Sequence, residues 1–395
     1  MKGDTKMFKK TDEELTKLGA NITTREIQQE PELWKEAFDN YSTKKDEITK
    51  FLDSVSKSTS EVVRVIFTGA GSSAYVGDTV APYLTEHGDR SRFKFEAIDT
   101  TKIVSTPMQY LEKDTPTILV SFARSGNSPE SVATVDIAEK VIKNLWQLTI
   151  TCAPEGQLAK HAEGDANNLV LLQPARSNDK GFAMTGSFSC MMLTSLLVFD
   201  TAMDSNKSEY VDSISKIGTE IIERESEIQA IVDTDFERII YLGSGGLSGL
   251  TREAQLKILE LTAGQKAAMF DSSMGFRHGP KSFVNSKSLV FDFLSNENYV
   301  RQYDVDILEE VKHDEIAPTV MGIGQSSSNN FDGDNFVFEK GTVSLPDAYL
   351  AFPDIMFAQV LALMTSLKVK NTPDTPSATG TVNRVVKGVT IHEFN

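Results

Sequence analysis

Two short segments of this chain place glycines and hydroxyls where an apolar strand gives way to a helix. Gly69-Ala-Gly-Ser72-Ser73 follows the run Val62–Phe67, and Ala123-Arg124-Ser125-Gly-Asn-Ser128-Pro129 follows Thr117–Phe122. Glycine lets a backbone approach an anion closely, serine hydroxyls donate hydrogen bonds, and a helix start adds amides and a favourable dipole. Ser72, Ser73, Ser125 and Ser128, with Arg124 in the second loop, are therefore candidates to encircle one phosphate. Gly181–Ser187, which includes Ala183 and Thr185, is a candidate third wall. Either loop alone reads as well as an ordinary turn with a helix cap. Two such loops in one α/β unit favour a site.

Further along, Lys257 precedes Glu260 by three residues, a spacing that puts both on one face of a helix. An ammonium there keeps a carboxylate ionised, although a plain surface ion pair has the same spacing. His278 lies in Arg277-His-Gly-Pro280. An imidazole can pass a proton near neutral pH, and it can equally be a structural turn residue. Lys387 is flanked by Val385, Val386, Val389 and Ile391, which can dock the tail and partly desolvate the amine, lowering its pKa. Solvated charge is the ordinary alternative. Gly69-Ala-Gly-Ser-Ser-Ala74 also matches the dinucleotide pattern G-x-G-x-x-A, with Glu96 or Asp99 as the acidic residue further on. The Ser/Gly loop after Phe122 has no part in that scheme, so a nucleotide cofactor ranks below a sugar phosphate.

The elements that must position these residues alternate between strand and helix. Strands are expected at 62–67, 93–97, 117–122, 146–152 and 169–172, with helices after the first and third; this predicts a parallel sheet with helices on both faces. Arg64-Val-Ile-Phe-Thr-Gly-Ala-Gly71 then aligns with Arg238-Ile-Ile-Tyr-Leu-Gly-Ser-Gly245. A helix at 251–261 and strands at 267–270, 288–294 and 319–323 follow. The chain therefore reads as two copies of one α/β unit joined near 203–215. In the second copy the third strand runs into Ser295-Asn-Glu-Asn298, without the Ser/Gly loop. Residues 1–45 read as an amphipathic helical arm, and the stretch from Pro373 as a strap.

Composition sets the outer limits. The 395 residues carry a formal charge of −16, which argues against a nucleic-acid or anionic-membrane surface. Two cysteines, Cys152 and Cys190, make no disulfide framework, so a reducing, cytoplasmic setting is expected. No His/Cys cluster has zinc spacing, and no metal or cofactor is expected. Residues 1–10 are polar and basic, unlike a secretory leader. No run of some eighteen apolar residues suggests a membrane span; Met191–Phe199 reads as a buried helix.

Taken together, the two loops resemble the phosphate loops of SIS (sugar isomerase) domains, with Ala123 where that family often has a serine. Gly181–Thr185 resembles the third wall. The second copy is similar to the isomerase half of glucosamine-6-phosphate synthase in three pieces: Gln255–Thr262, Arg277–Pro280 and Asn383–Thr390. Length and the lack of a glutaminase segment point to the AgaS branch, the galactosamine-6-phosphate deaminase/isomerases. The resemblance spans roughly residues 45–395. It implies two tandem SIS domains, flavodoxin-like three-layer sandwiches, at 46–205 and 215–372, with the arm at 1–45 and the tail at 373–395.

The same resemblance implies the roles. Glu260 moves a proton between C1 and C2 of the sugar, with Lys257 as its partner. His278 opens the ring, and in the related synthases it comes from the neighbouring subunit, which implies a homodimer or homotetramer. Lys387 forms a Schiff base with the open ketose. Residue 2 is lysine, where the synthases carry the glutaminase cysteine, so no ammonia is made in place. The expected reaction is deamination of a hexosamine 6-phosphate, D-galactosamine-6-phosphate giving D-tagatose-6-phosphate and ammonia. A tagatose-6-phosphate ketose/aldose isomerase without deamination is the nearest alternative. A non-catalytic sugar-phosphate sensor is the second; such sensors lack the Glu/His/Lys set and often carry a basic recognition helix, which residues 1–45 do not offer.

Overall fold

The structure is a computed structural model that describes residues 6–386 and 388–394. Its described residues form two compact units. One comprises Leu33–Asp179, Gly186–Lys207 and Val382 onward; the other comprises the residues up to Glu32, Lys180–Thr185 and Ser208–Thr381. The chain thus enters each unit more than once.

The unit of the first sheet follows two short helices, α1 (Asp12–Lys17) and α2 (Asn21–Gln28), that belong to the other unit. It contains α3 (Glu30–Ser58) almost whole, β1 (Val63–Thr68), α4 (Ser72–His87), β2 (Phe93–Ala97), α5 (Thr100–Ser105), β3 (Thr117–Ala123), α6 (Pro129–Val141), β4 (Leu145–Thr151), α7 (Gln157–His161), β5 (Asn168–Leu172) and α8 (Gly186–Phe199). The strands are all parallel, in the order β2-β1-β3-β4-β5. Central strands β1 and β3 are buried along their whole length, as expected when helices cover both faces. On one face Phe67 stacks with Phe95 and Phe122, at centroid distances of 6.0 and 5.8 Å, and meets Phe199 of α8 edge-on at 5.7 Å. On the other, Ile66 and Leu119 pack with Val135, Ala138 and Leu158, and Phe394 of the tail joins them. Helix α8 is apolar on all sides and buried, which is the only stable place for such a helix in a globular unit.

The second unit continues with most of α9 (Asp204–Glu223), then α10 (Glu225–Val232), β6 (Arg238–Gly243), α11 (Gly246–Leu261), β7 (Ala267–Ser272), β8 (Ser288–Phe293), α12 (Asn298–His313), β9 (Thr319–Gly324), β10 (Asp334–Val337) and α13 (Asp347–Lys368). Read from β7, its strand order is β7-β6-β8-β9-β10, the same permutation as the first sheet, and every pairing is parallel. β10, the counterpart of β5, is a polar four-residue strand that periodicity does not reveal. α13 is long and apolar enough to cross a membrane by length and composition, yet 94% of its apolar window is buried. It packs on α10, α11, α2 and β9 as a core helix. α1 opens with a capping box between Thr11 and Glu14. Asp374 accepts the amides of Ile22 and Thr23, at 3.0 and 2.8 Å, at the start of α2.

The repeat extends to single residues. Gly71 and Gly245 precede α4 and α11 with φ/ψ of 57/−131° and 55/−128°, a region that favours glycine. A Cβ on Gly69 or Gly243 would sit within 3.0 Å of backbone at Ser73 or Leu247 respectively. Both turns therefore have one shape and one steric reason for glycine.

Candidate active site

The hydroxyl loops lie at the carboxyl ends of β1 and β3, where ligands bind in open parallel sheets. Ser72 and Ser73 open α4 and are buried. Ser128 is the N-cap of α6 by position, but it makes no capping bond; its hydroxyl pairs with that of Ser131 at 2.7 Å. Gly71 provides no side chain to cap α4. Neither helix start is therefore closed by a side-chain bond from its own cap residue. The second loop is braced from behind: Asn127 Oδ1 accepts the Gln157 amide at 3.0 Å, and Gly126 O accepts that of Leu158 at 3.2 Å.

Arg124 is nearly buried, and its Nη2 donates to the main-chain carbonyl of Arg384 at 2.8 Å. Arg384 in turn donates to the Asp179 carbonyl, through Nε at 2.8 Å and again through Nη2, and to Asn178 Oδ1 at 3.1 Å. These polar anchors, with Phe394, hold the tail. Of the apolar side chains expected to dock it, Val386, Val389 and Ile391 are exposed and Val385 is half-buried. Lys387 lies outside the described residues. Ala183 and Thr185 are buried, and they belong to the unit of the second sheet. There Glu26 accepts the amide of Lys180 at 2.5 Å.

Of the two acids named for the dinucleotide alternative, buried Asp99 has Lys102 3.5 Å from its Oδ2, and Glu96 is committed elsewhere. Glu96 Oε2 accepts Nε and Nη2 of Arg64 at 3.0 and 2.6 Å, and Lys94 is 2.8 Å from the other oxygen. Burial alone pushes this carboxyl up, but the hydrogen bonds from Arg64 and Lys94 outweigh it and hold it below the usual range. A carboxylate so committed is not presented to a ribose.

In the other unit, α11 brings Lys257 and Glu260 together as the spacing predicts, with Nζ to Oε2 at 2.6 Å. The pair is not an ordinary surface pair. The Lys257 side chain is fully buried, that of Glu260 is 20% exposed, and a third member, Glu253, lies 3.0 Å from Nζ and is fully buried. Burial by itself would lower the lysine pKa; the two carboxylates override it, so the ammonium is held above its ordinary range. The row Glu253, Lys257, Glu260 thus fixes one cation between two anions and leaves only Glu260 partly open. Glu253 was legible as the i,i+4 partner of Lys257, had this face of α11 been known to be buried.

His278 follows a single 3₁₀ turn, Gly275–Arg277, on an exposed bend; its amide donates to Gly275 O at 2.9 Å. Its neighbours Arg277 and Lys281 are both tied to Glu310 of α12, at 2.6 and 2.5 Å. Among the described residues no group of three or more His, Cys, Asp or Glu side chains could hold a metal ion.

The SIS domain family matches residues 60–199. D-galactosamine-6-phosphate deaminase AgaS of Escherichia coli is 42% identical, over 94% of this chain and 96% of its own. The protein of that name from Shewanella sp. is 37% identical over 97% and 94%. The crystal structure of tagatose-6-phosphate ketose/aldose isomerase from Escherichia coli superposes with a TM-score of 0.85 at 39% identity, covering 94% of this chain and 97% of that one. With near-complete coverage at this identity, the chain belongs to the AgaS family of SIS-domain proteins.

Proposed function

We propose that the protein deaminates a hexosamine 6-phosphate with aldose–ketose isomerisation, converting D-galactosamine-6-phosphate to D-tagatose-6-phosphate and ammonia. The observation that carries this reading is the buried Glu253–Lys257–Glu260 row, a fixed carboxylate base, in a chain whose 42%-identical relative is named for this activity. The hydroxyls of Ser72, Ser73, Ser125 and Ser128, with Arg124, bind the phosphate. Ala183 and Thr185 contribute to sugar binding. His278 passes a proton from the anomeric hydroxyl to the ring oxygen and opens the ring. Glu260 removes the C2 proton and returns it at C1, turning the 2-amino aldose through an enaminol into the C2 imine. Water adds to that imine, and ammonia leaves. Lys387 forms a Schiff base with the open ketose in the reverse direction. Lys257 holds the Glu260 carboxylate in place through their ion pair. A homodimer or homotetramer in which His278 is shared between subunits fits the exposure of its turn.

The test is ammonia release from a panel of hexosamine 6-phosphates. Galactosamine-6-phosphate gives the highest kcat/KM, and Glu260→Gln lowers kcat by about 10²–10⁴ while phosphate-ligand affinity is kept. Isomerisation of tagatose-6-phosphate without ammonia release from any amino sugar would instead make the protein the plain isomerase.

A further inference from the structure

The second copy keeps the turn that in the first copy opens toward an anion, but it is not empty. Ser244 in the turn after β6, Ser273 after β7 and Ser295 after β8 converge on one carboxylate, that of Asp304 in α12. Ser244 Oγ donates to Asp304 Oδ1 at 2.5 Å, Ser273 Oγ lies 2.7 Å from the same atom, and the Ser295 amide donates to Oδ2 at 3.0 Å. Three donors from three strand ends around two oxygens is how an open parallel sheet holds an anionic ligand. Asp304 is fully buried. It is the seventh residue of α12; the seventh of α6 in the first copy is Val135.

A proton count shows which form the carboxylate takes. Ser273 Oγ is also 3.0 Å from Asp292 Oδ2, and a hydroxyl has one hydrogen to give. One of the two aspartates must therefore donate. Asp292 is fully buried and has no hydrogen-bond partner other than Ser273 among the described residues. Asp304 has two further donors. The proton sits on Asp292, which donates to Ser273, which donates to ionised Asp304. Burial first, then the charge of Asp304, push the Asp292 carboxyl well above its ordinary range; burial raises Asp304 too, but hydrogen bonds from Ser244, the Ser295 amide and Ser273 and the charge of Arg301 oppose it, consistent with that assignment.

We infer that Asp304 is the resident anion of the second copy, an internal carboxylate held by the strand-end donors whose counterparts in the first copy are proposed to bind phosphate, and that it fixes α12 as the carrier of the His278 turn. α12 grips that turn from both sides of the histidine, through Glu310 to Arg277 and Lys281 and through Asp314 to Lys281 at 2.6 Å. Asp304 is thus a positioning residue, and the second copy is closed to phosphate. The His278 part and the likeness to a phosphate site rest on the proposed function; the three donors on Asp304 do not.

The experiment uses the full chain. Asp292→Asn keeps a donor toward Ser273 and melts within about 2 °C of wild type, whereas Asp304→Asn must set its NH2 against either the Ser295 amide or the Ser244 and Ser273 hydroxyls that donate to the carboxylate, and melts lower by about 5 °C or more. An insoluble Asp304→Asn beside a soluble Asp292→Asn counts as the same result. Asp304→Ala, titrated calorimetrically with inorganic phosphate, binds one phosphate more per chain than wild type. In ammonia release, Asp304→Asn lowers kcat by about tenfold with KM moving less than about twofold. Equal melting of the two Asn variants, or no extra phosphate in a folded Asp304→Ala, overturns the resident anion whatever the activity. An unchanged kcat in a destabilised Asp304→Asn overturns the link to His278 alone.

Discussion

The two copies share a strand order and a turn of the same dihedral angles, yet their contents are opposite. After Gly71 the first copy continues Ser72-Ser73; after Gly245 the second continues Gly246-Leu247, and Leu247 is buried. On the following helix the roles reverse. α11 carries Glu253, Lys257 and Glu260, whereas the equivalent positions of α4 hold Thr79, Tyr83 and Glu86. Thr79 bonds back to the Tyr75 carbonyl, and Tyr83 donates to Asp200 at 3.2 Å, both structural uses. The backbone of the repeat fixes where strand ends and helix starts lie. The side chains decide whether that place receives a ligand from outside, as proposed for the first copy, or is filled from within, as in the second.

This contrast can be broken most directly at the helix face. Lys257→Met leaves buried Glu253 and partly open Glu260 without their cation and lowers stability by about 3–5 kcal/mol, whereas Tyr83→Phe at the equivalent position of α4 costs about 1 kcal/mol; urea unfolding of both variants checks the difference. A smaller and more specific effect is expected at the hydroxyls. Replacing Ser125 and Ser128 together by alanine raises KM for the sugar phosphate about tenfold or more with little change in stability. Ser244→Ala removes a donor to a buried carboxylate, lowers stability by about 1–3 kcal/mol and leaves KM unchanged. If Ser244→Ala raised KM as the serine pair does, the division of labour between the copies would be wrong. The smallest effect tests the backbone alone. Gly71→Ala and Gly245→Ala place a Cβ in open space, so each pays only for its dihedral angles, about 1–3 kcal/mol, and the two losses of melting temperature should match.

What could be read beforehand follows the range of the interactions involved. The strands of both copies, the glycine turns and the Lys257–Glu260 pair depend on residues within a few positions of one another, and their spacing shows in the chain. Glu253 sits at helical spacing too, but its importance comes from burial, which requires knowing what covers α11. Asp304 is 60 residues from Ser244 and Arg384 is 205 from Asp179, distances at which no local pattern survives. β10 escaped because Asp-Asn-Phe-Val is too short and polar to announce a strand; it forms because β9 offers a free edge with matching register. The tail was expected to be held by its apolar residues around Lys387 and is held by Arg384 and Phe394, because the Asp179 carbonyl and the Asn178 side-chain oxygen accept from the guanidinium and the apolar layer of the first sheet receives the ring, facts of tertiary structure.

The interleaving of the chain has a consequence for synthesis. The residues up to Glu32 belong with the second sheet, where Glu225 accepts the Phe8 amide at 3.1 Å, and the residues from Val382 belong with the first, where Phe394 reaches its apolar layer. On a ribosome, the segment up to Glu32 must wait for the second sheet to emerge before it finds its place, and the first sheet is finished only by a segment made after the second. Splitting the gene between the repeats therefore yields two fragments that each lack a strip of their own unit and carry one that belongs to the other. Co-expressed, such fragments should restore each other; expressed singly, each exposes an unfinished core.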